Sequence, residues 1–429
     1  MMRLMRVMLA YWQAQRLQFN DRAALERHQQ QQLAVFRRRL QQRSSYFAAL
    51  GDLPLAQWPL MDKALMLQHF DSMNTAGLRL EQVMRIALHA ERSRDFAATI
   101  GPYTVGLSSG TTAQRAAFVV SRREQAQWAG IMLARALPDG LLARERVALF
   151  LRANSNLYTT VRSRWLTFRY FDLFRPFAEH LPLLADYQPS ILLAPAQVLR
   201  ELALAQLQGR ILLQPKRVYS IAEVLEAQDR QLVEQVFGTV HEIYQATEGF
   251  LASTCAAGVL HLNEEYVHVE PEWLDDAHRR FVPVITDFSR YTQPIVRYRL
   301  NDVLLARATP CPCGRASMAL DGVEGRCDDM LQLPDHQGQQ QTVFADLLGR
   351  ALAQVLPFDA DYRLRQTGPC RLTLHLALPE RQQAAVQAHL ERVLQGAGVD
   401  VAALQWQHEQ TLPPLDTSRK RRRIIRELP

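Results

Sequence analysis

Five short stretches of the chain carry residue types suited to phosphate, metal or charge-transfer chemistry. The segment LSSGTTA at 107–113 gathers Ser108, Ser109, Thr111 and Thr112 around Gly110. A glycine lets backbone N–H groups converge on an anion, and the hydroxyls add donors. A plain turn has the same composition. The segment IYQATEG at 243–249 offers Thr247 as a hydroxyl for phosphate, Glu248 as a hard oxygen ligand for Mg2+ and Tyr244 as a flat face for a base. Mg2+ needs only one or two carboxylates beside substrate phosphates. A strand end closed by a capped turn is the alternative. The alternation in IVRYRLND at 295–302 predicts a strand that delivers Asp302 to its end, where a carboxylate accepts ribose hydroxyls; a strand that simply ends in a polar turn reads equally well. Arg297 and Arg299 are expected on the polar face of that strand. In GRCDDM at 325–330, Gly325 permits a turn, Arg326 is a fixed cation for a nucleotide, and Asp328 or Asp329 is a candidate pivot. The basic run in DTSRKRRRII at 416–425 suits a nucleic-acid contact, a solvated tail, or delivery of one lysine to an anionic centre.

The cysteines form a separate constellation. Cys311 and Cys313 stand in a CPCG knuckle, and Cys255 and His261 precede it. Three thiolates and an imidazole make the Cys3His set of a closed tetrahedral site, so structural Zn2+ is expected, with no open position for catalysis. Buried cysteines acting as small apolar groups are the alternative. Cys327 and Cys370 are left over as free thiols.

These residues need a scaffold. Residues 1–100 read as mostly helical, with the glutamines at 29–32 on a solvated helix face and residues 1–17 forming a helix with an apolar face, not a signal peptide. From 101 to 325, short apolar runs at 147–151, 191–193, 211–213 and 282–286 alternate with helical stretches, the pattern of a layered α/β domain with buried strands. Strands over Tyr103–Leu107 and 117–120 flank the first motif. The fold class is therefore α/β: a large N-terminal domain, whose helical part is 1–100 and whose nucleotide-binding core with the zinc knuckle is 101–325, followed by a small α+β C-terminal domain over 326–429. In the latter, 362–366 and 372–376 read as strands and Glu380–Gly396 as an amphipathic helix. A chain of 429 residues with 48% hydrophobic and 22% charged residues has the room and composition for such cores, which excludes wholesale disorder. The net charge of +7 suits small anionic substrates and is a weak footprint for nucleic acid. No apolar run reaches the roughly 18 residues of a membrane span. Five cysteines make no disulfide framework, which fits a reducing cytoplasm.

The order SSGTT, YQATEG, RYRLND, GRCDD, then a lysine in a basic C-terminal segment, resembles the adenylate-forming superfamily of acyl-CoA synthetases, peptide-synthetase adenylation domains and luciferases. The CPCGR knuckle resembles the phenylacetate–CoA ligase branch. Within that branch, RDFAATIGPYTVGLSSGTT, YQATEGFLASTC, LHLNEEY and ITDFSRYTQPIVRYRLND look like adenylate-forming proteins related to synthetases that adenylylate a deazaflavin coenzyme. The resemblance implies ATP-dependent activation of a carboxylic acid, by preference aromatic, as an acyl-adenylate, then transfer to a thiol of CoA or of an acyl carrier protein. AMP transfer onto a coenzyme phosphate or hydroxyl, and amide-forming ligation, are its alternatives. It implies that Ser108, Ser109, Gly110, Thr111 and Thr112 form the phosphate loop, that Tyr244 lies near adenine, that Thr247 touches phosphate and that Glu248 holds Mg2+. Asp302 would bind the ribose beside Arg326, Asp328 would be the hinge of a mobile C-terminal domain, and Lys420 would be the catalytic lysine. Cys255, His261, Cys311 and Cys313 would hold zinc. Segments 154–158 and 168–172 lie where relatives place substrate-facing residues. Nucleic acid is not an expected partner; a homodimer is allowed for. The chain departs from the superfamily at Ala113 and Arg115, where glycine and lysine are usual, at Asn301, where many relatives have glycine, and in lacking a glycine before Lys420.

Overall fold

The computed structural model describes residues 2–93, 95, 97–107, 117–137, 139–152 and 166–427. The chain divides into two compact units: Met1–Asp172 with Ile243–Leu300 and Ala306–Asp321, and Leu173–Glu242 with Asn301–Leu305 and Gly322–Pro429. Among the described residues no helix is long and apolar enough to cross a membrane.

In the first unit, the helix Met2–Arg16 lies against the helix Arg122–Ala136. Their contact depends on Gly130, where a Cβ would fall 2.5 Å from Ala10 Cβ and 2.6 Å from the Val7 carbonyl. Asp21 caps the helix Arg22–Arg43 by accepting from the amides of Ala23 and Ala24. The expectation of a fully solvated glutamine face fails at Gln29, which is buried because its amide bridges the Glu264 carbonyl (2.9 Å) and the ring of His268 (3.2 Å). The strands Thr99–Ile100, Tyr103–Leu107 and Ala117–Ser121 form an antiparallel sheet, with Leu107 opposite Ala117. Ser121 then starts the helix Arg122–Ala136 through a reciprocal capping box with Glu124. Glu145–Leu151 and Leu166–Asp172 pair in parallel. Val240–Gln245 pairs from Ile243 onward with Phe250–Thr254, which continues antiparallel to Leu260–Leu262. Val267–Trp273, Arg280–Asp287 and Ile295–Arg299 form a further antiparallel set.

In the second unit, the parallel strands Ile191–Ala194 and Arg217–Ile221 carry the helices Ala196–Leu207 and Ala227–Phe237. The run 211–213 is not a strand: Ile211 and Leu213 are buried around an exposed Leu212, but the Leu213 amide donates to the Gln206 side chain (2.8 Å) instead of a ladder. The C-terminal portion has a four-stranded sheet ordered Gln405–Glu409, Arg371–Leu376, Tyr362–Gly368, Ile424–Arg426. The helices Ala345–Val355 and Glu380–Gly396 bury Leu348, Leu352, Leu390 and Leu394 in the same core as Leu364, Leu372 and Leu374. The helix at 380–396 has the bounds its periodicity predicts, and the α/β class read from the sequence is that of the fold.

Candidate nucleotide and metal sites

The four expected metal ligands come together in the first unit, with their ligand atoms all within 4.8 Å of one another. Two glycine turns and one strand place them. Gly258, at φ +78°, closes the turn after Cys255, and Gly314, at φ +74°, closes the CPCG knuckle. His261 projects from the middle of Leu260–Leu262. Cys255 Sγ lies 3.7 Å from Cys311 Sγ, and Cys313 Sγ lies 3.4 Å from His261 Nε2. Tetrahedral zinc, with thiolates at about 2.3 Å and imidazole nitrogen at about 2.0 Å, sets ligand edges of roughly 3.5–3.8 Å. His261 Nδ1 lies 3.0 Å from the Ser317 carbonyl, which fixes that nitrogen as the donor and leaves Nε2 for a metal. The donor set therefore fits a closed site. Burial opposes ionisation of Cys255, but N–H groups of Val259 and Ala257 donate to its sulfur and hold its pKa below the ordinary value.

The segment 243–249 folds as a tight hairpin turn. The amide of Ala246 donates to the Gly249 carbonyl (3.0 Å) and that of Gly249 to the Ala246 carbonyl (3.3 Å), which places Thr247 and Glu248 at the tip. A Cβ at Gly249 would lie 3.0 Å from an Asp287 carboxylate oxygen, a tight contact that Asp287 would have to yield to. Two residues outside the expected site, Tyr298 and Arg290, support this turn, and Asp287 lies beside it. Tyr298 donates its hydroxyl to Glu248; burial first, then the Glu248 charge, pushes the Tyr298 pKa well above its ordinary range. Arg290 donates to the Thr247 carbonyl at 2.6 Å. Asp287 accepts from the amide (2.9 Å) and hydroxyl (2.6 Å) of Ser289. Tyr298 belongs to the RYRLND stretch, but nothing in its spacing marks it as the partner of Glu248.

Burial pushes the Asp287 carboxyl up to about 6, against the opposing charge of Arg290. A carboxyl raised on folding stabilises the native state fully below its unfolded value, and that stability is lost as pH rises through the folded value. The stability difference between wild type and Asp287→Asn should therefore shift against wild type by roughly 2 kcal/mol from pH 4 to pH 7. Urea unfolding at several pH values checks this; a pH-independent difference would reject it.

The expected delivery of Asp302 to a strand end is corrected. The strand stops at Arg299, and Asp302 opens the next one, Asp302–Ala306, because the chain turns at Leu300 and Asn301. The arginine face holds: Arg297 pairs with Glu270 (2.9 Å) and Arg299 with Glu272 (2.5 Å) on the strand Val267–Trp273. In the second unit, Gly325, at φ +139°, lies within the strand Ala319–Arg326, and the turn itself is the short 3-10 segment Cys327–Asp329. Asn301 staples that turn: its side chain donates to Asp328 at 2.6 Å and its carbonyl accepts from the Cys327 amide at 3.0 Å. Asp329 is buried and pairs with Arg422. Burial first, then the nearby charge of Arg326, lowers the Arg422 pKa.

The basic run is not a solvated tail. Arg423 is fully buried and contacts Asp229 (2.8 Å), Glu226 (2.8 Å) and Asp361 (2.8 Å). Arg421 also pairs with Asp229, and Arg200 reaches it at 3.2 Å. Burial pushes the Asp361 carboxyl up, but the Arg423 and Arg421 guanidiniums outweigh that and hold it well below the usual carboxylate range. Upstream, Gln197 donates to the Arg419 carbonyl (2.8 Å) and Thr417 to the Leu173 carbonyl (2.6 Å). Lys420 is exposed between these two anchored stretches.

The expected phosphate loop, Ser108 to Thr112, lies outside the described residues, as do Ala113, Arg115 and the segment 154–158. In Leu166–Asp172, Phe171 is buried and stacks on Phe150 with ring centroids 4.7 Å apart, a core contact. The other candidates divide between the units: Tyr244, Thr247, Glu248 and the four metal-ligand residues in the first, and Asp302, Arg326, Asp328 and Lys420 in the second.

No protein-family model and no curated protein matches the sequence. Solved structures match its fold, which is that of adenylate-forming ligases. The crystal structure of 2-hydroxyisobutyryl-CoA ligase in the postadenylation state, in complex with R3-HIB-AMP, aligns with a TM-score of 0.62 at 18% identity, over 95% of this chain and 89% of that one. The amide bond synthetase McbA from Marinactinospora thermotolerans aligns with a TM-score of 0.53 at 11% identity, over 75% and 68%. The anthranilate CoA ligase AuaEII, in complex with anthranoyl-AMP, gives 0.51 at 11%, over 73% and 64%.

Proposed function

We propose that the protein activates a carboxylic acid with ATP. The acid's carboxylate attacks the α-phosphorus, pyrophosphate leaves, and an acyl-adenylate remains. The observation that carries this reading is the turn that presents Thr247 and Glu248 together, braced by Tyr298 and Arg290, in a chain with the fold of acyl-adenylate-binding ligases. Glu248 would hold Mg2+, a hard cation that neutralises phosphate oxygens when bound. Thr247 donates its hydroxyl to a phosphate, Tyr244 lies along adenine, and Asp302 with Arg326 takes the ribose. Ser108, Ser109, Gly110, Thr111 and Thr112 cradle phosphate. Lys420 supplies the mobile cation that offsets repulsion between carboxylate and triphosphate; such transfers are catalysed mainly by positioning and charge stabilisation. Cys255, His261, Cys311 and Cys313 hold structural zinc. The CPCGR knuckle supports a place in the phenylacetate–CoA ligase branch, an aromatic acid as substrate, and a thiol of CoA or a carrier protein as acceptor. The four-residue thiol and imidazole cluster supports a reducing, cytoplasmic setting.

ATP–pyrophosphate exchange over a panel of aromatic and fatty acids tests this. Exchange should appear with at least one acid and fall by about 10²-fold or more in Lys420→Ala. Folded protein that exchanges with no acid would overturn acid activation, and an adenylylated coenzyme by mass spectrometry would replace it with AMP transfer.

A further inference from the structure

The helix Met2–Arg16 has a second face with no role in the fold. Its inner face buries Val7, Ala10, Tyr11 and Ala14 against the helix Arg122–Ala136. The close approach at Gly130 fixes its rotation about its own axis. On the opposite side Met5 is 63% exposed, Leu9 59% and Trp12 52%, while Leu4, also exposed, borders the inner face. At 100° per residue, Met5, Leu9, Trp12 and Arg16 fall within an arc of about 60°. Three large apolar side chains and Arg16 therefore face outward together, held in place by a helix that cannot turn them inward.

The charges beside this stripe select its partner. Arg16 falls within the stripe and Arg6 about 60° from its edge, Arg3 lies on the inner side, and residues 2–16 contain no acidic residue. Arg122 and Arg123 open the adjoining helix, at the end where Arg3 hydrogen-bonds Gln125 (3.1 Å). A second copy packed face to face on this stripe would bring arginines against arginines with no acid on the helix to answer them. A surface of anionic lipid headgroups over hydrocarbon answers both features: the apolar side chains enter the headgroup–acyl boundary, Trp12 sits at the interface, and the arginines meet phosphates. The helix is too short and too charged to span a bilayer, so it would lie in the interface plane.

We propose that the outer face of the helix Met2–Arg16 docks the protein on anionic membrane surfaces. This assignment is independent of the adenylation reading.

Co-sedimentation of the full chain with vesicles of phosphatidylcholine alone, and with added phosphatidylglycerol, tests it. Binding should be strong only with the anionic vesicles and should weaken as salt is raised. Leu9→Glu should reduce it by about tenfold or more, and Arg6→Gln with Arg16→Gln by a comparable factor. All three positions are exposed, so thermal unfolding of these variants should match wild type, which separates lost docking from lost folding. Equal binding to both vesicle types, no binding to either, or binding indifferent to Leu9→Glu would overturn the proposal. So would a wild-type dimer in sedimentation equilibrium that Leu9→Glu dissociates without vesicle binding, because a second copy would then own the face.

Discussion

Replacing Asp229 by alanine is expected to destabilise the second unit by about 3–5 kcal/mol, the largest effect of any single substitution outside the apolar cores. Asp229 is fully buried and is shared by three guanidiniums, from Arg200, Arg421 and Arg423. Its removal leaves Glu226 and Asp361 as their remaining ion-pair partners among the described residues, and both are already engaged by Arg423. Arg200 would keep its bonds to the carbonyls of Phe358, Asp359 and Ala360, which anchor it in place beside the deficit. An uncompensated buried charge costs far more than a lost surface pair, and salt relieves it little. Denaturant unfolding of wild type and Asp229→Ala at low and high salt measures this. A loss under about 1 kcal/mol would mean that water reaches the cluster and shares the load. Asp229→Asn should fall between the two, since it keeps the shape and some hydrogen bonds but not the charge. Because Arg421 follows Lys420 directly, both variants should also loosen the backbone that carries the lysine.

The second large effect is expected at the cysteine cluster. Elemental analysis of the purified protein should return about one zinc per chain, and Cys311→Ser should lower that by about tenfold. Removal of the metal by a chelator should lower the unfolding temperature by several degrees, since metal bound only by the native state adds its binding free energy to stability. The ligands come from a turn after one strand, the middle of the next, and a separate knuckle, so the site ties together segments far apart in sequence. Cys327→Ser serves as the control and should leave metal content unchanged, because Cys327 sits in the 3-10 turn of the second unit. Well under one zinc per chain in folded wild type would reduce the cluster to packed thiols.

Much of the scaffold was legible because local pattern encodes local structure. Short apolar runs marked Tyr103–Leu107 and the centres 147–151 and 282–286 of the strands Glu145–Leu151 and Arg280–Asp287, and helical periodicity marked Glu380–Gly396. The same signal misled at 211–213, where alternating burial arises without a ladder because a glutamine side chain takes the amide. It also misplaced Asp302 by one element, since alternation continues across the turn at Leu300 and Asn301.

Residue identity and order in the sequence alone determined the α/β class and singled out Thr247 and Glu248 and the four cysteine and histidine residues whose ligand atoms converge. Those features depend on short stretches whose chemistry is carried by residues near one another in the sequence or by a repeated residue type. The tertiary structure decided which charges are buried. In the sequence Arg423 is one of several equivalent arginines in a basic run, and Gln29 one of four glutamines. Only packing against residues remote in the chain makes one the centre of an ion-pair cluster with Asp229 and the other a buried bridge to Glu264. Burial raises the strength of an electrostatic contact and the cost of leaving a polar group unmatched, and no local pattern records which distant group will provide the match.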